Sequence, residues 1–153
     1  GGIDMESFPT PHDAAESACY ALSAGGRKAA VVTDLGHVTA EVEAGIRGAD
    51  LLVAETNQDV EWLRSGPYPY FLKERILGQR GHLSNEDGAR LVCAAVHTGA
   101  RQVILAHLSH ENNTPARARQ TVEDALARMG VQTGRDVTVE VAPRSEPGRR
   151  YVV

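Results

Sequence analysis

Three features of the sequence predict an α/β fold with a mixed sheet and helices on at least one face. Short apolar runs end abruptly in a residue that can do chemistry: Val31-Val32-Thr33-Asp34, Leu51-Leu52-Val53-Ala54-Glu55 and Val103-Ile104-Leu105-Ala106-His107. Segments with helical periodicity alternate with these runs. A hairpin signal, Ala24-Gly25-Gly26-Arg27, adds antiparallel strands ahead of them. Buried parallel strands read as short apolar runs, and in open α/β sheets the working groups gather beyond the strands' carboxyl ends. One metal-type ligand after each of several strands therefore suggests a site built at one sheet edge.

The elements follow in order. Ile3 to Phe8 alternates like a strand, and Pro9 and Pro11 stiffen a loop that delivers His12 and Asp13. Ala18–Ser23 and Lys28–Thr33 are the two arms of the hairpin. Val38, Val42 and Ile46 mark an amphipathic helix over Val38–Arg47. Leu51–Ala54 is a buried strand, Asp59–Arg64 a short helical turn, Gly66–Pro69 a turn and Phe71–Leu77 a helix. Ser84, with Asp87 three residues on, caps a helix that runs to about His97 and stops at Gly99. Gln102–Ala106 is another buried strand. Thr114-Pro115 opens a helix with Ala118, Val122, Ala125, Leu126 and Met129 on one face, stopped by Gly130. Val137–Val141 is the last strand, and residues 144–153 form an Arg/Pro/Gly-rich tail. No internal repeat or domain-separating linker interrupts this order, so residues 1–153 read as one domain.

Length and composition narrow the classes. The chain has 153 residues, enough for one domain with a core. Hydrophobic residues make up 42% and aromatics only 5%, so the core must rest on Val, Leu, Ile and Ala. A net charge of −4 argues against bulk electrostatic attraction to nucleic acid, though local basic stripes remain compatible with it. Arg117, Arg119, Arg144, Arg149 and Arg150 are candidates for such a stripe, against the ordinary reading of each as a solvated surface residue. Cys19 and Cys93 sit in apolar contexts that suit reduced, buried thiols. No apolar run approaches the ~18 residues of a membrane span, and no signal-peptide pattern opens the chain, so the cytoplasm is the expected location. The sequence begins without methionine at Gly1-Gly2-Ile3, and the natural protein is expected to begin earlier or to have been cut.

His12, Asp34 and His107 stand out as metal-ligand candidates. Imidazole and carboxylate are the ligands zinc, manganese or iron use in hydrolytic sites, and one aspartate can bridge two ions. Two neighbouring ions can lower the pKa of a water between them and clamp both oxygens of a phosphoryl displacement. Spacing alone does not show convergence: a histidine after a loop is more often a hydrogen-bonded structural residue than a ligand. His37 and His110 read as loop residues, and His97 as a solvated group near a helix end, where positive charge suits the dipole.

The run of motifs adds weight. Gly2-Ile3-Asp4-Met5-Glu6-Ser7-Phe8, Pro11-His12-Asp13-Ala14-Ala15-Glu16, Thr33-Asp34-Leu35-Gly36, Glu55-Thr56-Asn57-Gln58-Asp59, Gly81-His82-Leu83-Ser84-Asn85 and Ala106-His107-Leu108-Ser109 occur in that order. Together they resemble the C-terminal part of a metallo-β-lactamase-fold hydrolase, in the small bacterial branch of exonucleases and phosphohydrolases. The resemblance implies the C-terminal half of an αββα sandwich, with a mixed sheet and flanking helices. It implies metal-ligand roles for His12, Asp34 (bridging) and His107. It implies pocket-lining or ligand-orienting roles for His82, Asn85 and Asn57, any of which is equally a structural residue. It implies two divalent ions, zinc or manganese, in the complete domain, a metal-bound hydroxide as the attacking species, and nucleic acid as substrate.

Two departures qualify that picture. The family's His-x-His-x-Asp-His motif, which supplies most of the ligands, is absent. Gln58 stands where the branch has histidine. The chain alone is therefore expected to bind metal weakly and to be inactive. Its uncovered sheet face is expected to pair with the missing N-terminal half or with a second copy. The competing reading is a truncated or degenerate binding or assembly module without catalysis, discriminated by the sequence upstream of Gly1. A nucleotide-binding α/β domain has little support, because Gly25-Gly26 lies in a hairpin and not between strand and helix.

Overall fold

A computed structural model describes all 153 residues. Six strands lie in one sheet in chain order: β1 (Asp4–Pro9), β2 (Ala18–Ala24), β3 (Arg27–Val32), β4 (Leu51–Glu55), β5 (Gln102–Ala106) and β6 (Thr138–Val141). The first two pairings are antiparallel, and β3 to β6 run parallel. Parallel neighbours need a crossover. Helix α1 (Ala40–Ile46) joins β3 to β4, and α5 (Pro115–Arg128) joins β5 to β6. Between β4 and β5 come α2 (Val60–Ser65), α3 (Tyr70–Leu77) and α4 (Asn85–His97). The expected mixed α/β architecture is present. Helix α1 begins two residues later than the periodicity suggests, because Thr39 is its N-cap and its hydroxyl accepts the Val42 amide. Ser84 caps α4 in the same way, and Thr114, followed by Pro115, caps α5.

The core lies on one face of the sheet. Phe8, Cys19, Ala21, Ala30, Val32, Leu52, Ala54, Val103, Leu105 and Val139 alternate inward along their strands. They pack against Val42 and Ile46 of α1, Leu91, Val92 and Ala95 of α4, and Ala118, Val122 and Leu126 of α5. Both cysteines are free. Cys19 is buried, and burial pushes its thiol up to about 11, whereas Cys93 is only partly covered.

The opposite face carries the other alternation. Met5 pairs with Leu22 and Leu22 with Ala29, while Tyr20 pairs with Val31 and Val31 with Val53. No helix covers this row at the β1–β2 side, and Met5, Tyr20 and Leu22 are exposed there. At the β5–β6 side the C-terminal segment lies across the edge. Gln102 donates to the Val152 carbonyl and the Tyr151 hydroxyl donates to Glu140.

One glycine decides how close α4 comes to β4. A Cβ at Gly88 would fall on the Glu55 carbonyl oxygen and within 2.7 Å of Thr56 Cγ2. Neither can move without displacing the strand end. We expect Gly88→Ala to lower stability by about 2 kcal/mol, despite alanine's higher helix propensity, through overpacking. Urea denaturation would measure it, and an unchanged midpoint would contradict the close fit.

Candidate metal centre

Four of the strands that end at one edge of the sheet each deliver a candidate residue there. β1 and β3 are each antiparallel to β2, so β1 runs with β3, β4 and β5. His12 follows β1, Asp34 follows β3, Glu55 ends β4 and His107 follows β5. Two of these positions carry unusual backbone: Asp34 at φ 61° and His107 at φ 59° are the non-glycine residues in the left-handed region. That conformation costs energy for most side chains and collects at functional sites. Here it turns each side chain back over the sheet edge.

The imidazoles are held in defined tautomers. His12 Nδ1 lies 3.0 Å from the Gly81 carbonyl, which can only accept, so Nδ1 carries the proton and Nε2 keeps its lone pair. His12 Nε2 is 3.7 Å from Asp34 Oδ1. His107 Nδ1 donates to Glu55 Oε1 at 2.7 Å, and its Nε2 stands 3.5 Å from the same Asp34 oxygen. Two imidazole lone pairs and one carboxylate oxygen thus converge. A tetrahedral ion with bonds of about 2.1 Å sets its ligand atoms about 3.4 Å apart, close to the separation of each imidazole nitrogen from Asp34 Oδ1.

Glu55 organises the group. Its side chain is fully buried. Oε1 accepts from Nδ1 of both His82 and His107 at 2.7 Å, and Oε2 accepts the Leu35 and Leu83 amides. Burial pushes its carboxyl up, but the hydrogen bonds from His107 and His82 outweigh burial and leave it below the ordinary range. The same hydrogen bond raises His107 against the effect of its own burial. Donor atoms of Asp34, Glu55, His82 and His107 all lie within 4.8 Å of one another. His12 adjoins this group through Asp34. Three imidazoles form a row, with ring centres 4.9 Å apart from His12 to His82 and 5.1 Å from His82 to His107.

The residues singled out in the sequence separate into two sets. His12, Asp34, His82 and His107 meet at this edge. Asn57 adjoins them: its amide donates to the His107 carbonyl at 2.7 Å and so braces the left-handed turn. Asn85 does not reach the cavity. It is fully buried, and its amide pairs both ways with Asn113, which also donates to the Thr56 and Asn57 carbonyls. The expectation of a pocket-lining Asn85 is corrected to a buried amide pair that ties three loops beneath the site. Gln58 is likewise buried, and its Nε2 donates to the His82 carbonyl. Glu55 was legible only as an acid ending a buried strand. His37 bonds the Gln79 carbonyl and His110 bonds Glu111, both apart from the cluster.

Two cavities open on the cluster. One of about 330 Å³ lies between His12, His82 and the α3 side chains Leu72, Arg75 and Ile76. A second of about 890 Å³ lies beyond His107, walled by Thr114, Pro143 and Arg144. Asn57 borders both.

This edge-of-sheet arrangement of histidine and carboxylate defines a member of the metallo-β-lactamase-fold class. Residues 1–108 match the family described as Beta-lactamase superfamily domain, and the chain belongs to that family. Among curated proteins it is 42% identical over 134 residues to Exodeoxyribonuclease YycJ of Bacillus anthracis, a match covering 88% of this chain and 51% of the relative. It is 39% identical over 139 residues to Exodeoxyribonuclease WalJ of Streptococcus pneumoniae D39, covering 91% and 52%. The chain thus spans about half the length of these relatives. Among solved structures, the metallo-beta-lactamase fold protein YhfI of Bacillus subtilis aligns with a TM-score of 0.61 at 17% identity, over 92% of this chain and 46% of that one. Zinc-bound PqqB of Methylobacterium extorquens aligns with a TM-score of 0.53 at 20% identity, over 92% and 45%. Both likenesses concern the fold. No helix is long and apolar enough to cross a membrane.

Proposed function

We propose that this chain is the C-terminal half of a metal-dependent phosphodiesterase, an exonuclease acting on nucleic acid. The observation that carries the reading is the convergence of His12 Nε2 and His107 Nε2 on Asp34 Oδ1, each imidazole with its other nitrogen already committed. The names of the curated relatives support the substrate class. His12, Asp34 and His107 hold divalent metal, and Asp34 has a second oxygen with which to bridge two ions. A bound ion of this kind lowers the pKa of water and polarises a phosphoryl oxygen. Glu55 orients His82 and His107. His82, on the cavity wall with Nδ1–H held by Glu55, is placed, when Nε2 also carries a proton, to donate to the phosphate or pass that proton to the leaving oxygen. Asn57 and Asn85 act as positioning residues, through the His107 turn and the loops beneath it.

Three ligands do not complete a two-ion site, so the remaining donors come from a partner half. The reading of a non-catalytic module draws on the same count and on Gln58. Zinc and manganese titrations separate the two. Asp34→Ala is expected to abolish metal binding by the chain, and in the assembled protein to cut phosphodiester hydrolysis by at least a thousandfold. Equal metal affinity in wild type and Asp34→Ala would contradict the assignment.

A further inference from the structure

We propose that Arg80 and Arg144 are the phosphate contacts that hold a nucleic-acid strand on either side of the linkage lying at the histidine row. This rests on the substrate reading above and adds the residues that would grip the strand. The distinguishing feature of these two arginines is what they bond. Arg75, the guanidinium on the wall of the smaller cavity, is ion-paired with Asp13 and its charge is largely cancelled. Arg117, beside α2, is likewise paired with Asp59. Arg80 and Arg144 are exposed and bond only neutral backbone carbonyls.

Their anchors sit at opposite ends of the site. Arg80 places Nε and Nη2 on the His12 carbonyl at 3.0 and 2.8 Å. Arg144 places Nη2 between the Leu108 and Ser109 carbonyls, at 3.1 and 3.2 Å, on the loop that follows His107. His12 and His107 are the two ends of the imidazole row. The C-terminal segment read as a tail therefore returns to the site at Arg144, which also walls the larger cavity.

A guanidinium has five N–H donors in a planar fork. Anchoring one side on carbonyls fixes the fork without neutralising it, and Arg80 Nη1 and Arg144 Nε and Nη1 remain available. With a chain net charge of −4 and Asp34 and Glu55 inside the site, unneutralised cations at both margins supply local attraction for a polyanion that the bulk charge does not. Arginine forks suit phosphate oxygens bidentately.

The test is the salt dependence of oligonucleotide binding. The 153-residue chain, in EDTA so that nothing is hydrolysed, is titrated with a fluorescein-labelled single-stranded oligonucleotide at several salt concentrations. Arg80→Gln and Arg144→Gln keep a donor for the anchoring carbonyls and remove the charge. Each is expected to weaken binding about fivefold and to reduce the slope of log affinity against log salt by about 0.7, the value for one single-strand phosphate contact. Arg80→Lys is expected to recover the slope. Arg47→Gln and Arg128→Gln, which remove exposed, unpaired arginines remote from the site, are expected to leave it unchanged. Wild-type binding with the same slope in Arg80→Gln and Arg144→Gln overturns this assignment and leaves the substrate reading standing. A wild-type chain that binds no oligonucleotide even at low salt overturns both.

Discussion

Exchanging Glu55 for glutamine is expected to weaken divalent-metal binding by ten- to a hundredfold and to lower stability by about 3 kcal/mol. Both effects come from one buried carboxylate. Glu55 accepts from His82, His107, Leu35 and Leu83, groups from the loops after β3 and β5 and from the connection into α4. A glutamine has the same shape but replaces one acceptor oxygen with a donor. If the NH₂ faces the imidazoles, their Nδ1–H groups lose their acceptor and the rings are free to turn. If it faces Leu35 and Leu83, two backbone amides are left opposite another donor. Neither orientation satisfies all four groups. The loss also reaches the metal, because an imidazole that donates through Nδ1 to a carboxylate is a more basic and better oriented ligand through Nε2. Isothermal titration with zinc or manganese, paired with denaturant unfolding of the metal-free chain, measures the two consequences separately. Metal affinity equal to wild type would show that Glu55 does not orient His107.

The residues at the sheet edge differ in how far the sequence discloses them. Asp34 and His107 each close an apolar run, and the change from core to chemistry occurs within two residues, so their position at a strand end was legible. Their left-handed backbone was not, since no glycine marks it. Glu55 closes a similar run, but an acid at a strand end is ordinarily exposed. Only the folded arrangement brings two imidazoles and two amides to it. His82 lies on no strand. Its place depends on the path from α3 to α4, which depends in turn on Glu55 and on the close seat of α4 at Gly88. Asn85 misled for a local reason. The first turn of a helix beside a glycine-histidine motif suits a pocket, yet its amide finds its partner in Asn113, 28 residues away. Arg144 was read with the tail because Pro, Gly and Arg dominate residues 144–153, and nothing in that composition shows that it returns to residues 108 and 109.

The uncovered sheet face leads to the largest expected change in activity. Met5, Tyr20 and Leu22 stand exposed on a face whose neighbours Ala29, Val31 and Val53 are themselves half-buried and apolar. Burying the three exposed side chains would contribute about 2 kcal/mol each. Helices α1, α4 and α5 are packed on the other side, so a second layer fits here without disturbing the core. The relatives are about twice as long as the region they share with this chain, which is enough for a second sheet with its own helices. Such a layer would also bring further donors to the edge where His12, Asp34 and His107 are proposed to hold metal. On the function proposed above, the chain alone is expected to hydrolyse phosphodiesters at least a thousandfold more slowly than the chain mixed with a polypeptide corresponding to the part of the relatives that it does not cover. Leu22→Lys is expected to abolish the gain, because a lysine at that interface must be desolvated. It should leave the unfolding midpoint of the isolated chain nearly unchanged, since Leu22 is exposed there. Full turnover by the isolated chain, or rescue of Leu22→Lys as complete as that of wild type, would show that this face is not where the site is completed.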